Sequence, residues 1–307
     1  MRRAKGTLAM AIATGALLTA TAPAQAAAAP AVTAAGAIVI DAADGATLMA
    51  KDADTKRPMA STTKIMTAVV VTTTPGLDLD QKVTVKQTYL DYVYLKGASS
   101  AQLKAGATPT VRQLLYGMML PSGCDAAYAL ADTFGTGTTT AARTADFVAK
   151  MNAKATELGL TNTVYDSFDG ISPTGNNLTS PRDLAKLTRH AMADPMFQNL
   201  VKATTYSSGG TATVANWSNS NLLVQPRPTG YGYPGAIGVK TGTTTPSGKC
   251  LVFAVNRNGK TVIGVLLNDE ERYMDSMALA DWALGPVAGS KAALRRSNTD
   301  PIPDVLD

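Results

Sequence analysis

The run Cys250-Leu251-Val252-Phe253-Ala254-Val255, the dipeptide Asn258-Gly259 and the run Thr261-Val262-Ile263-Gly264-Val265-Leu266-Leu267 decide how this chain is read. Two apolar, β-branched runs joined through Asn-Gly predict a pair of antiparallel strands, because Asn and Gly tolerate the left-handed backbone that a tight hairpin needs. A weaker version stands near the other end: Ala37 to Asp41, the turn Asp44-Gly45, and Thr47 to Ala50. Between the two, apolar spacing predicts helices over Thr62 to Val71, Val111 to Met119, Asp125 to Phe134, Thr140 to Leu158 and Pro181 to Met192, with a closing helix over Glu271 to Leu284. The start at Pro181 is well marked, with Ser180 as N-cap and Asp183 in the first turn. A small extra hairpin is read over Thr204 to Tyr206 and Thr211 to Val214, turning at Ser207-Ser208-Gly209-Gly210. Strands at both ends and helices between them predict a mixed α/β fold of the α+β kind. One antiparallel sheet is built from both termini and flanked by helices, with a mostly helical lobe inserted.

Composition sets the outer limits. Of 307 residues, 45% are hydrophobic and 17% charged, enough to bury a sizeable core and too apolar for a disordered chain. The net charge is +5, but three of the positive charges are Arg2, Arg3 and Lys5 and no basic cluster follows, so no nucleic-acid partner is expected. Those three cations, the apolar stretch from Leu8 to Leu18 and Ala24-Gln25-Ala26 have the order of an export signal over residues 1–26. The apolar stretch is short of the roughly 20 residues that span a bilayer. The mature chain is therefore expected outside the membrane, without a transmembrane anchor and at most peripheral to it. Residues 286–307, with Arg295, Arg296, Pro301 and Pro303 and no amphipathic face, read as a disordered tail.

One histidine, His190, and two cysteines, Cys124 and Cys250, do not make a zinc ligand set, and no metal or other cofactor is expected. His190 falls in the last turn of a predicted helix, where a cation complements the helix dipole. Export permits a disulfide, yet both thiols are expected to be free, Cys250 because it opens an apolar strand in which a thiol packs as a small hydrophobe.

The chemistry starts at Ser61-Thr62-Thr63-Lys64, which opens the apolar run Ile65, Met66, Ala68, Val69, Val70. A spacing of three puts Ser61 and Lys64 on one helix face, so that an amine can reach a hydroxyl beside a helix N-terminus. Of the 15 serines only Ser61 has a lysine three residues on. An N-cap serine beside a lysine that snorkels to solvent would look the same, so this pair alone does not decide. Two further stretches do: Leu120-Pro121-Ser122-Gly123-Cys124 between two predicted helices, and Val239-Lys240-Thr241-Gly242 at the end of a short strand read from Ala236. Ser-x-x-Lys, a Ser-x-Asn-like element and Lys-Thr-Gly, in that order, form the set shared by class A β-lactamases and penicillin-binding proteins.

With these motifs in place the sequence resembles the low-molecular-mass penicillin-binding DD-peptidases, the serine-type D-alanyl-D-alanine carboxypeptidases and DD-transpeptidases. Thr110 to Leu120 is similar to the family's segment before its second motif, and Asn219-Ser220-Asn221-Leu222-Leu223 resembles its Asn-rich element before the third. The resemblance runs from Ala37 to Leu284, and implies a catalytic domain over residues 27–285 with the fold shared by serine β-lactamases and DD-peptidases. It implies that Ser61 attacks the D-Ala-D-Ala bond of peptidoglycan stem peptides while Lys64 takes its proton. Lys64 must be neutral for this, which calls for burial and a nearby cation such as Lys240. The resemblance further implies that Ser122 relays the proton to the leaving amine beside Lys240, and that Thr241 and Thr243 bind the terminal carboxylate. The N–H groups of Ser61 and Thr243 would form an oxyanion hole, with Gly242 and Cys124 as further contacts. Penicillins would acylate Ser61, and the working form would be a monomer.

One position departs from the family: Cys124 stands where Asn is usual, and a thiol donates and accepts hydrogen bonds only weakly. The balance between hydrolysis and transfer to an amine is thereby left open. Two other readings stay beside the first. A secreted class A-like β-lactamase would need a carboxylate to activate water, with Asp169 in Ser167-Phe168-Asp169-Gly170 as the candidate, and a non-catalytic penicillin-sensing or wall-binding module is favoured only by Cys124.

Overall fold

The Asn-Gly hairpin forms as its sequence directs, and the sheet grows outward from it. A computed structural model describes residues 28–287 and Met1. The export signal and the disordered tail read from the sequence lie almost wholly outside the described residues. In chain order come β1 (Gly36–Asp41), β2 (Thr47–Lys51), β3 (Arg57–Pro58), a 3-10 turn (Ala60–Thr63) and α1 (Lys64–Thr72). Then follow α2 (Gln87–Lys96), α3 (Val111–Met119), α4 (Cys124–Phe134), α5 (Thr140–Glu157), β4 (Leu178–Thr179), α6 (Pro181–Ala191) and α7 (Pro195–Lys202). The chain closes with β5 (Thr205–Ser207), β6 (Asn216–Ser218), β7 (Ala236–Thr244), β8 (Gly248–Arg257), β9 (Lys260–Leu267) and α8 (Arg272–Leu284).

Five strands form one antiparallel sheet in the order β2-β1-β9-β8-β7, so both ends of the chain contribute as the sequence predicts. Strands β8 and β9 read as unbroken apolar runs because both faces of the sheet are covered. Cys250, Val252, Ala254, Ile263 and Val265 share a core with Ile65, Met66 and Val69 of α1. Their alternates Leu251, Phe253, Val255, Val262 and Leu266 pack with Tyr273, Met277 and Leu279 of α8. Each such side chain, fully buried, contributes about 1.5–3 kcal/mol of transfer free energy. Gly264 lies opposite Phe253, where a Cβ would sit 2.0 Å from the ring, so the missing side chain is what admits the phenyl group.

Helix α1 is buried along nearly its whole length and runs through the helical lobe, which explains an apolar sequence without a polar face. Thr110 and Gln113 close a capping box at α3, and the Ser180 hydroxyl accepts the Asp183 N–H at α6. Three readings need correction. Helices α2 and α7 were not foreseen: α2 has little amphipathic periodicity, whereas α7 was legible, with Asp194 capping it, Pro195 at its first position and Phe197, Leu200 and Val201 on one buried face. The small hairpin closes on Asn216–Ser218 instead of Thr211 to Val214, because Thr211 and Thr213 bond to Lys104 and Gln102 while buried Trp217 anchors the strand through Nε1 to the Ala101 carbonyl at 2.7 Å. Lys-Thr-Gly does not end its strand, since β7 continues to Thr244. Among the described residues, no helix is long and apolar enough to cross a membrane.

Candidate active site

Ser61 sits in the 3-10 turn and α1 begins only at Lys64, three residues later than a helix starting near Ser61 would. In a 3-10 turn residues three apart eclipse one another, which aligns the two side chains more directly than an α-helix would. Lys64 Nζ donates to Ser61 Oγ at 2.9 Å and the lysine is fully buried. The same nitrogen lies 2.9 Å from the Asp169 carbonyl oxygen, 3.4 Å from Ser122 Oγ and 3.4 Å from Cys124 Sγ. An ammonium has three hydrogens for these four partners, and none of the four is a carboxylate.

The partners outside the Ser61 turn come from two braced segments, the α3–α4 link and the loop at Asp169. Ser122 occupies the link between α3 and α4 with φ +63°, and Ala60, just before Ser61, has φ +46°. For residues with a Cβ this left-handed backbone costs about 1 kcal/mol or more and persists only where neighbours enforce it. Here Ser99 does so, its hydroxyl donating to the Ser122 carbonyl at 2.7 Å and its own carbonyl accepting the Cys124 N–H at 2.9 Å. The Ser99 segment is in turn held by Asp125, whose buried carboxylate accepts from Ala101 N, Leu103 N and Ser100 Oγ at 2.8–3.1 Å. The Asp169 segment is held by Thr67, which donates to the Phe168 carbonyl at 2.5 Å. The Asp169 carboxylate itself turns away from Lys64, accepting Tyr92 OH at 2.8 Å and Ile171 N at 2.9 Å.

Neither Cys124 nor Cys250, both buried, is joined in a disulfide among the described residues. Burial pushes the Cys124 thiol up to about 12, with Lys64 pulling the other way, so at neutral pH it is a protonated, weak hydrogen-bonding group rather than a thiolate.

The opposite side of the cleft is β7, the edge strand of the sheet. Gly242 lies so close to the nucleophile turn that a Cβ would come within 2.9 Å of Ser61 N and 3.1 Å of Thr62 N. Only glycine lets the strand pass there. Lys240 and Thr241 are buried beside it, and Lys240 Nζ donates to the Thr241 carbonyl at 3.2 Å. Ser220 ties the two sides together: its N–H donates to the Leu120 carbonyl at 2.9 Å and its hydroxyl lies 2.9 Å from that of Thr241. Behind the strand, buried Arg272 Nη1 reaches the Gly242 carbonyl at 3.2 Å, Thr243 Oγ1 at 3.1 Å and the Cys250 carbonyl at 3.1 Å.

The eight residues singled out from the sequence fall in two groups that adjoin where Gly242 meets the Ser61 turn. Four of them meet directly around one nitrogen, and the other four follow one another along β7. His190 lies elsewhere, lining a separate cavity of about 760 Å³ with Lys186, Arg189 and Lys202, so no Ser-His pair forms. Sequence reading missed Ser99, Asp125 and Arg272. Asp125 had a usable signal, an acid in the first turn of a helix directly after Cys124. Arg272 had none, because its partners are far along the chain.

The chain resembles known proteins over most of its length. Residues 23–271 match the D-alanyl-D-alanine carboxypeptidase family. The chain is 48% identical over 277 residues to the D-alanyl-D-alanine carboxypeptidase of Streptomyces sp. strain K15, covering 87% of this chain and 92% of that protein. It is 34% identical over 262 residues to D-alanyl-D-alanine carboxypeptidase DacB2 of Mycobacterium tuberculosis, covering 82% and 83%. The crystal structure of the Streptomyces K15 DD-transpeptidase superposes with a TM-score of 0.79 at 46% identity, covering 85% of this chain and all of that one. By sequence and by fold alike, the chain belongs to the D-alanyl-D-alanine carboxypeptidase family of serine peptidases.

Proposed function

We propose that Ser61 is the nucleophile of an exported, monomeric DD-peptidase whose catalytic domain spans residues 27–285. Its substrates are the D-Ala-D-Ala ends of peptidoglycan stem peptides on the outer side of the membrane. Ser61 Oγ attacks the carbonyl of the penultimate D-Ala as Lys64 accepts the hydroxyl proton. The tetrahedral oxyanion is received by the N–H groups of Ser61 and Thr243. Ser122 passes a proton to the leaving nitrogen next to Lys240, the C–N bond breaks, and free D-Ala departs with its carboxylate released from Thr241 and Thr243. The ester on Ser61 is then attacked by water, which trims the peptide, or by an amine, which crosslinks it. A penicillin would follow the same first step and stay as the ester.

The observation that carries this reading is the buried Lys64 amine 2.9 Å from the Ser61 hydroxyl, on a turn against which the edge strand β7 packs at Gly242. General-base activation needs that separation, and a peptide needs that open strand edge. The β-lactamase reading requires Asp169 to hold a water near the ester, but its carboxylate is buried and occupied by Tyr92 and Ile171. A non-catalytic module has no use for two strained residues, Ala60 and Ser122, beside a serine and lysine in contact.

The test is incubation of the secreted protein with a diacylated D-Ala-D-Ala peptide, with and without glycine, alongside a fluorescent penicillin. Release of D-Ala, a glycine adduct and a long-lived penicillin label are expected. Rapid turnover of penicillin would favour a β-lactamase, and absence of any label a non-catalytic protein.

A further inference from the structure

The cavity of about 760 Å³ at His190 shares no lining residue with the cleft around Ser61. Helices α6 and α7 wall it, and strands β7 and β9 contribute Ile237 and Ile263. A cavity of this size holds a small organic molecule.

Its charge is one-sided. Lys186, Arg189, His190 and Lys202 line it, and no acid does. Lys186, Arg189 and His190 stand at i, i+3 and i+4 on α6 and so share one face of the helix. Arg189 is fixed by backbone alone, with Nε donating to the Ala42 carbonyl at 2.9 Å and Nη2 to the Ala43 carbonyl at 2.6 Å. Lys186 Nζ donates to the Gly159 carbonyl at 3.3 Å. Arg182, about two turns earlier on the same helix, pairs instead with the Asp54 carboxylate at 2.7 Å. Among the described residues, none of the cations lining the cavity is paired with a carboxylate.

Cations at the ends of α6 and α7 also complement the helix dipoles, but the magnitudes leave a surplus. Two helix C-termini supply about half a negative charge each, against full charges on Lys186, Arg189 and Lys202 even before His190 is counted. About two positive charges remain for a ligand. That surplus matches a phosphate monoester, which carries about −1.5 to −2 at neutral pH. The rest of the lining is of another kind: Leu158, Met192, Ile237 and Ile263 offer apolar surface to a hydrocarbon body and nothing to a second charge.

We propose that this cavity binds a phosphate monoester carried on an apolar body, with the phosphate at the α6 and α7 cations and the body against Ile237 and Ile263. The site stands apart from the peptide reaction, and neither depends on the other.

The experiment is calorimetric titration of the full chain with octyl phosphate below its micelle concentration, beside octanol, inorganic phosphate and octyltrimethylammonium. Octyl phosphate should bind at least about ten-fold more tightly than each of the other three. Lys186 and Lys202 are exposed, so the double variant Lys186→Gln, Lys202→Gln should keep its urea midpoint while its affinity for octyl phosphate falls about ten-fold or more. Arg182→Gln, whose ion pair lies outside the cavity, should leave that affinity unchanged. Absence of binding, equal affinity for octyl phosphate and any of the three controls, or binding that survives the double substitution would overturn the proposal. Vesicles of phosphatidylcholine with and without phosphatidic acid separate the two sources of such an ester. Co-sedimentation that needs phosphatidic acid and is lost in the double variant assigns the site to a membrane lipid, and octyl phosphate binding without co-sedimentation assigns it to a soluble ester.

Discussion

The two sides of the cleft are built on opposite plans. On the helical side, four acceptors from three segments converge on one buried amine, and two of those segments are braced by neighbours: Ser99 and Asp125 hold the Ser122–Cys124 link, and Thr67 holds the Phe168–Asp169 segment through the Phe168 carbonyl. On the sheet side one continuous strand supplies Lys240 to Thr244, with Arg272 behind it and Ser220 at its flank. The first plan fixes the Lys64 amine and its partners to within hydrogen-bond tolerance. The second offers a straight edge against which a peptide can lie. Damage to the helical side should therefore appear chiefly in kcat, and damage to the sheet side chiefly in KM.

The largest effect should come from Lys64→Ala, which removes the proposed proton acceptor. D-Ala release and penicillin acylation are expected to fall about 10³- to 10⁴-fold in single-turnover measurements, and full activity would refute the assignment. Asp125→Ala tests whether the helical side depends on its supports. Three or more donors lose a buried acceptor, so denaturant unfolding should show a loss of about 3 kcal/mol and kcat should drop more than KM rises. Arg272→Leu is the matching change on the sheet side. A loss of about 2 kcal/mol is expected, together with a several-fold rise in KM for the peptide and a smaller change in kcat. A kcat effect larger than the KM effect would break the distinction between the sides.

Cys124→Asn probes the departure from the family at finer grain. Water has to be held by the site, whereas an amine acceptor brings its own contacts, so a strong donor and acceptor at this position should raise the hydrolytic share of product a few-fold. Product ratios with and without glycine measure it directly, and an unchanged ratio would clear Cys124 of any part in the partition.

The smallest expected effect is in pH response, where the two sides again oppose each other. Within the helical lobe, burial works against ionisation of Asp132, but Lys86, Tyr89 and Arg143 outweigh it and hold the carboxyl below its usual range. That contribution is present at neutral pH and is lost as pH falls. Next to Arg272, burial pushes Asp269 up to about 6, helped by neighbouring Asp275 and resisted by Thr33. The folded protein therefore holds that proton more tightly than the unfolded chain, and stability is lost as pH rises from about 4 through 6. Asp269→Asn should remove the loss on the alkaline side, a gain on the order of 1–2 kcal/mol at pH 7 in urea unfolding. Stability of this variant that tracks the wild type across that range would contradict the sign.

Legibility followed the range of the interactions. The Cys250 to Leu267 hairpin, the capped helix at Pro181 and the Ser61–Lys64 pair were readable because their determinants lie within a few residues of one another. Helix α2 was not, because its ends face solvent and its place is set by Tyr89 bonding to Asp132 on α4 and Tyr92 bonding to Asp169. Strand β6 was missed because Trp217 earns its position from Ala101, in another part of the lobe. At the site, motif residues were visible as types at fixed spacings. The residues that brace them, Ser99, Asp125 and Arg272, were visible only once the chain was folded.

Strand β1 lies inside the sheet, with Gly36 opposite Leu267 and Asp41 opposite Val262. The first strand to leave a ribosome or a translocation channel thus has to wait for the last one. Until β9 has emerged, one long flank of β1 carries unpaired amides, and the central sheet cannot close around α1. The topology acts as a delay on folding: a nascent chain stays open until it is nearly complete, and a truncation before residue 262 would strand β1 without its inner neighbour however intact the motifs at Ser61, Ser122 and Lys240 remain.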